Sequence, residues 1–370
     1  MRQMVLLSCL LLVACDMRNP TSASTKETLL NPLTEANTDR AFNCVHEQIP
    51  TPAVEADKLF QYARWLQKNN QLKQDQTVDA QIERLYRIAS ENGHFKANIN
   101  LQNGAMRGHF RLRGGEHLRM SEQLINAGVA TGYYFVGIFL QNGSAGLQKN
   151  HEMALRYYRK AADEGSALAQ EYIADKLAPI NIAPEVARQM RRCAAEQGNG
   201  KAATALGIDL STDGHYLEAL EGFQLGVAAG DSTSASFLSK GFRGPEPGDW
   251  LYYLGQKEDL ERADRYEKIL KVLSGYSYAN PKIPEINDIV PLPPAPLPAW
   301  DSKLEWLEER QANIPPEKPS TALINQLAKA MILDPATGNP LPGSPSFSEH
   351  RETSKELPIP ATKRSNSKQP

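Results

Sequence analysis

Residues 130–165 read ATGYYFVGIFLQNGSAGLQKNHEMALRYYRKAADEG, and their apolar spacing describes two amphipathic helices joined by the glycine loop Gly143 to Gly146. The layout recurs. Residues 167–198 close on CAAEQG, and residues 201–230 carry Ala205-Leu206-Gly207 early and Ala219-Leu220 with Phe223 late. Upstream, IERLYRIASENG (82–93) and SEQLINAG (121–128) are the second halves of earlier units. Helix-ending glycines therefore stand at 93, 128, 165, 198 and 230, in steps of 35, 37, 33 and 32 residues. A period of this size specifies a solenoid of helix pairs, because one pair cannot bury its apolar face alone.

Each of these glycines falls where a helix must stop and the backbone turns left-handed, a conformation that costs glycine nothing. The small residues Ala130, Gly137, Ala169, Ala202 and Gly207 are expected to let neighbouring first helices approach, with Tyr134, Tyr157, Tyr172, Leu206 and Phe223 filling the seams. The fold class is all-α, with about five helix pairs over residues 42–242.

Residues 133–137 (YYFVG), the Gly143…Gly146 loop, residues 152–158 (EMALRYY) and residues 160–165 (KAADEG) together resemble a Sel-one-like repeat, a relative of the tetratricopeptide repeat. The resemblance covers residues 82–241 and implies a right-handed α-solenoid. Its first and last units depart most from the pattern, as caps with one solvated face do.

The N-terminus is read as an address. Arg2 precedes an apolar run from Met4 to Val13, then Leu12-Val13-Ala14-Cys15, the charged, apolar and small layout of a secretory signal. Leu12 to Cys15 resembles the lipobox of bacterial lipoproteins, which implies cleavage after residue 14 and acylation of Cys15 by diacylglycerol and a further acyl chain such as palmitate. Multiple chains anchor stably, at roughly 0.8 kcal/mol per buried methylene. Asp16 implies retention at the inner membrane by the enteric rule, with the outer membrane as the alternative; either way the chain faces the periplasm. Residues 15–41, rich in Thr, Ser and Asn, read as a flexible tether. Cys44 and Cys193 either pair as a disulfide or stand apart, one as a buried small residue and the other as a lone thiol.

After Phe242 the pattern changes. Residues 243–249 (RGPEPGD) form a turn cluster, followed by expected helices near Leu251–Leu254 and Leu260–Ser274. Between Pro281 and Pro345 lie 14 of the 25 prolines. Proline lacks a backbone donor and fixes φ, so this stretch predicts an extended strap laid along the solenoid, with short helices near Asp301–Gln311 and Thr321–Met331. Residues 243–343 are this C-terminal extension, and 344–370 read as a disordered tail. Residues 44–47 (CVHE), residues 56–66 (ADKLFQYARWL), the repeats, residues 290–294 (VPLPP) and residues 334–338 (DPATG) together resemble a family of bacterial lipoproteins carrying a domain of unknown function. Some members are immunity proteins encoded beside type VI secretion phospholipase effectors.

A formal net charge of −2 gives no electrostatic footprint for nucleic acid, and no run of 18 apolar residues spans a bilayer. The strings G-x-S-x-G, G-x-G-x-x-G, H-E-x-x-H and C-x-x-C are absent, and seven histidines are scattered without metal-like spacing. No catalytic residue, cofactor or metal is expected. One cluster stands out: residues 106–120 (MRGHFRLRGGEHLRM) place Arg107, Arg111, Arg113 and Arg119 in a loop between repeats. It is either a solvated face or a contact for an acidic partner surface or anionic headgroups. Tyr133, Tyr157 and Tyr158 are further candidate contacts, against a core role at helical spacing. The expected function is binding of a protein partner. The family resemblance implies neutralisation of a phospholipase effector by occluding its active site; the alternative is an envelope assembly or signalling scaffold without a toxin partner.

Overall fold

In a computed structural model, residues 42–347 are described; they form fifteen α-helices and one isolated bridge, Leu333 to Pro340. The expected signal sequence, the expected lipidation site Cys15 and the expected tether lie outside the described residues. Among the described residues no helix is long and apolar enough to cross a membrane.

The protein is an α-solenoid of six helix pairs, one more than the repeat period indicates: α1 (Val54–Asn70) with α2 (Gln76–Glu91), α3 (Phe95–Met106) with α4 (Gly114–Asn126), α5 (Thr131–Asn142) with α6 (His151–Asp163), α7 (Ala167–Leu177) with α8 (Pro184–Glu196), α9 (Gly200–Thr212) with α10 (Tyr216–Ala228), and α11 (Ser232–Gly241) with α12 (Leu260–Gly275). The turns between pairs follow one rule. A glycine with positive φ ends the second helix, at Gly93, Gly128, Gly165, Gly198 and Gly230. At three turns the next residue caps the following helix: His94, Asn199 and Asp231 accept from the backbone N–H of Ala97, Ala202 and Ser234 at 3.1, 3.0 and 2.8 Å.

Close packing between helices uses the small residues. The Phe223 ring, fully buried, lies where a Cβ on Gly207 would be 2.6 Å away, and it stacks on Phe237 with centroids 4.7 Å apart. Burying such a ring contributes roughly 1.5–3 kcal/mol. One hydrophobic cluster runs from Leu206 to Leu304 and spans the boundary at residue 242. The expected helix at Leu251–Leu254 is instead a turn: the Asp249 carboxylate accepts from the N–H groups of Leu251 and Tyr252, which diverts the chain before a helical turn closes.

The C-terminal segment does more than lie along the array. From α12 it passes through α13 (Ile286–Ile289), then crosses back over α12, where Arg262 and Arg265, both buried, donate to the carbonyls of Pro291, Ala295, Ile289 and Pro298. Next comes α14 (Glu305–Ala312). Arg310 on α14 lies 5.8 and 5.4 Å from the ring centres of Tyr276 and Tyr278, just past α12. One residue beyond α14, Asn313 pairs with Asn69 at 2.7 Å and accepts from Trp65, both on α1. Helix α15 (Thr321–Ala330) then packs on α1 and α2, where Ile324, Ala328 and Leu333 join a second cluster built around Leu59, Leu85 and Leu101. The C-terminal extension thereby returns from the last helix pair to the first, which it reaches through Asn313 and α15, while α14 itself buries no residue. The chain stays ordered past the expected limit at residue 344: Ser344 and Ser346 are buried, Ser344 donating to Met331 O at 2.7 Å and Ser346 bonding the Glu91 carboxylate.

Candidate partner-binding site

The arginine loop is built by alternation. Phe110 is buried against Gly104 and Tyr86, and Leu112 is half-buried against the cluster around Leu85 and Leu101, so Arg111 and Arg113 between and beyond them point outward. Backbone bonds fix the loop: Arg111 N–H donates to Glu83 at 3.1 Å, and Arg113 N–H to Glu116 at 2.8 Å. Arg87, buried, pairs with Glu83 and Glu116 and donates to the Arg111 carbonyl. The two carboxylates are thus already neutralised from below. Arg107, Arg111 and Arg113 are exposed, and their guanidinium groups have no ion-pair partner among the described residues.

Arg119 is not a surface contact. It forms a two-pronged pair with Glu91 at 2.6 and 3.2 Å, and Glu91 also holds Ser346. Tyr157 and Tyr158 are likewise corrected: they are 2% and 3% exposed. Both sides of α6 are covered, by α5 and by α7, so two consecutive residues are buried. Tyr158 donates to Gln141 at 2.7 Å and sits over Gly137, whose added Cβ would lie 2.7 Å from the ring. Burial pushes the Tyr157 hydroxyl up to about 12. Tyr133 is half-buried beside Tyr157, with the Lys160 ammonium 5.8 Å from its ring centre.

A second feature joins the cysteine pair, one of the two readings open in the sequence, to a segment whose path the sequence did not show. Residues 42–50 belong to no helix and pass over the turn at Gly165. Cys44 is bonded to Cys193 on α8, with S–S 2.03 Å and Cα–Cα 5.5 Å. Gln170 donates to Val45 O at 3.0 Å, Glu47 N–H donates to Gln197 Oε1 at 2.9 Å, and Thr131 gives the Glu47 carboxylate its backbone N–H and its hydroxyl, the latter at 2.9 Å. Burial raises the Glu47 pKa above its ordinary value, partly opposed by the two Thr131 bonds. The segment lies directly on Gly165, where a Cβ would come within 2.7 Å of Glu47 N. His46 is close to both sulfurs, but the disulfide consumes the thiolates that a metal would need. A cysteine pair 149 residues apart carries no local signal of contact.

This combination defines a helical-repeat protein with a clamped segment ahead of its first helix and a C-terminal extension that returns to the first helix pair. A family profile described as a domain of unknown function, DUF6396, matches residues 234–341, from α11 to the end of the Leu333–Pro340 bridge. Among solved structures, PA5086 of Pseudomonas aeruginosa is similar at 27% identity and TM-score 0.53, over 70% of this chain and 97% of that one. Immunity protein PA5088 of the same organism is similar at 23% identity and TM-score 0.53, over 70% and 96%. Immunity protein Pa5087, also from P. aeruginosa, is similar at 23% identity and TM-score 0.51, over 69% and 96%. No curated protein sequence matches.

Proposed function

We propose that this chain is an immunity protein: a lipid-anchored, periplasm-facing lipoprotein that binds a phospholipase effector and occludes its active site. The observation that carries the reading is the likeness to PA5086 and to immunity proteins PA5088 and Pa5087, which extends over nearly their whole lengths. The disulfide supports export, because such bridges persist in oxidising compartments. The packed solenoid supports binding at low ordering cost, since the surface is formed before the partner arrives. Arg107, Arg111 and Arg113 are preorganised for carboxylates on the partner and would speed its encounter. Acylation of Cys15 holds the inhibitor at the membrane that its partner attacks, which raises its effective concentration there.

Co-expression tests this. A phospholipase encoded beside this chain, directed to the periplasm, is expected to kill cells lacking the protein and to spare cells that make it. Cys15→Ala is expected to weaken protection, and the triple change of Arg107, Arg111 and Arg113 to Glu to slow association. No protection, together with no complex between the purified proteins, overturns the reading in favour of an envelope scaffold.

A further inference from the structure

Cys44 and His46 stand two residues apart on the clamped segment, and Cys193 and Glu196 stand three apart on one face of α8. The disulfide joins the two pairs. One ligand atom from each of Cys44, His46 and Cys193 lies within 4.8 Å of the other two. Glu196 borders the group, its carboxylate 3.5 Å from His46 Nε2. Cys44, His46 and Glu196 are exposed, so water, a reductant and an ion can all reach this corner, while Cys193 is buried.

The sulfur bond is one of several fasteners here. Gln170 on α7 holds Val45 O, between Cys44 and His46, and Glu47, the next residue, is held by Gln197 and Thr131. Phe42 is buried in the cluster around Tyr157 and Ala161. None of these contacts involves a sulfur, so they keep the segment against α7 and α8 when the bond is opened. The three side chains are then a donor set of two thiolates and an imidazole, which suits zinc. Zinc bonds of about 2.3 Å to sulfur and about 2.0 Å to nitrogen put neighbouring ligand atoms about 3.5 Å apart in a tetrahedron. Rotation of the exposed Cys44 side chain parts the sulfurs to that spacing.

We propose that opening the Cys44–Cys193 bond creates a zinc site, with Cys44, Cys193 and His46 as ligands, a water in the fourth position and Glu196 fixing the His46 ring. A dithiol reductant passes two electrons and two protons to the bond and is itself oxidised to a disulfide. Zinc then takes the place of both protons, which leave to solvent. A carboxylate beside a ligating imidazole sets its orientation and raises its basicity. Bond and ion are alternative fasteners for one segment, since sulfurs joined to each other offer no thiolate. The inference stands on these four residues and is independent of the partner.

The probe is cobalt(II), whose visible spectrum reports tetrahedral thiolate ligation and is bleached when zinc replaces it. The purified full-length chain, carrying Cys9→Ser and Cys15→Ser so that no other thiol competes, is reduced with dithiothreitol, freed of it by gel filtration and titrated without oxygen. One cobalt per reduced chain is expected, and none for the oxidised chain. His46→Ala is expected to weaken binding about tenfold or more, and Glu196→Gln about tenfold. His46 is exposed and its side chain has Glu196 as its only ion-pair partner among the described residues, so its removal leaves the solenoid intact. Zinc is also expected to raise the thermal midpoint of the reduced chain, but not of reduced His46→Ala. No cobalt spectrum in the reduced chain, the same spectrum in the oxidised one, or equal affinity in His46→Ala overturns the proposal. So does a reduced chain that loses its helical circular dichroism and does not regain it with zinc, because the ligands are then not held together.

Discussion

His94 serves two hydrogen bonds and one stack with a single buried ring. Its Nδ1 accepts from Ala97 N–H, Nε2 donates to Asp57 at 3.1 Å, and the ring stacks on Phe60 with centroids 4.1 Å apart. A proton on Nδ1 would break the cap, and burial lowers the pKa, only partly opposed by Asp57. A histidine held below its unfolded value contributes stability that is present above about 6.5 and lost as pH falls through the folded pKa. His117 is lowered by burial in the same sense. Urea midpoints should therefore fall as pH drops below 6.5, with a shallower slope in His94→Gln; an identical slope in that variant would refute the assignment. The turn glycines offer a second comparison at this scale. Gly93→Ala meets open space, so only the left-handed backbone is strained, at about 1–2 kcal/mol. Gly230→Ala adds a collision with Pro281 O, and denaturant unfolding should show a clearly larger loss.

The strap and helix α12 depend on each other. Prolines leave carbonyls without neighbouring donors, and the buried guanidinium groups of Arg262 and Arg265 supply what the chain itself lacks. Arg265→Met orphans the carbonyls of Ile289 and Pro298, at about 1–3 kcal/mol each. Limited proteolysis should then cut between residues 289 and 300 in the variant while leaving the parent intact. Resistance equal to the parent would show that the strap is held elsewhere. Helix pairs and their glycine turns were legible in the sequence because periodicity and helix stops are local. The path of the strap was not, since Asn313 meets Asn69 and Arg84 meets Pro335 across some 250 residues. The arginine loop was visible as composition, but only the inward turn of Phe110 and Leu112 shows which guanidinium groups are free. Tyr157 and Tyr158 were open to misreading because one stripe of a helix predicts one buried side, whereas α6 has two.

On the scale of the whole molecule, the Cys44–Cys193 bond encloses the middle of the solenoid and fixes the point from which any N-terminal tether departs. Removing it by Cys44→Ala with Cys193→Ala is expected to cost about 2–5 kcal/mol, read as a lower thermal midpoint; no change would mean that residues 42–50 are held by their hydrogen bonds alone. The return of the C-terminal extension to the first pair has a different consequence. Open helical arrays fray from their terminal repeats inward, because the outermost unit has a neighbour on one side only. Here the C-terminal extension leaves α12 and lays α15 on α1 and α2, so the first pair is backed on a side that an open array leaves bare. Amide exchange should then protect α1 nearly as well as α6 and α8, whereas Asn313→Ala should let the first pair exchange faster. A spring has two loose ends from which to uncoil; here the tail of the same chain is fastened over the first of them, and that end is freed only when α15 lifts away.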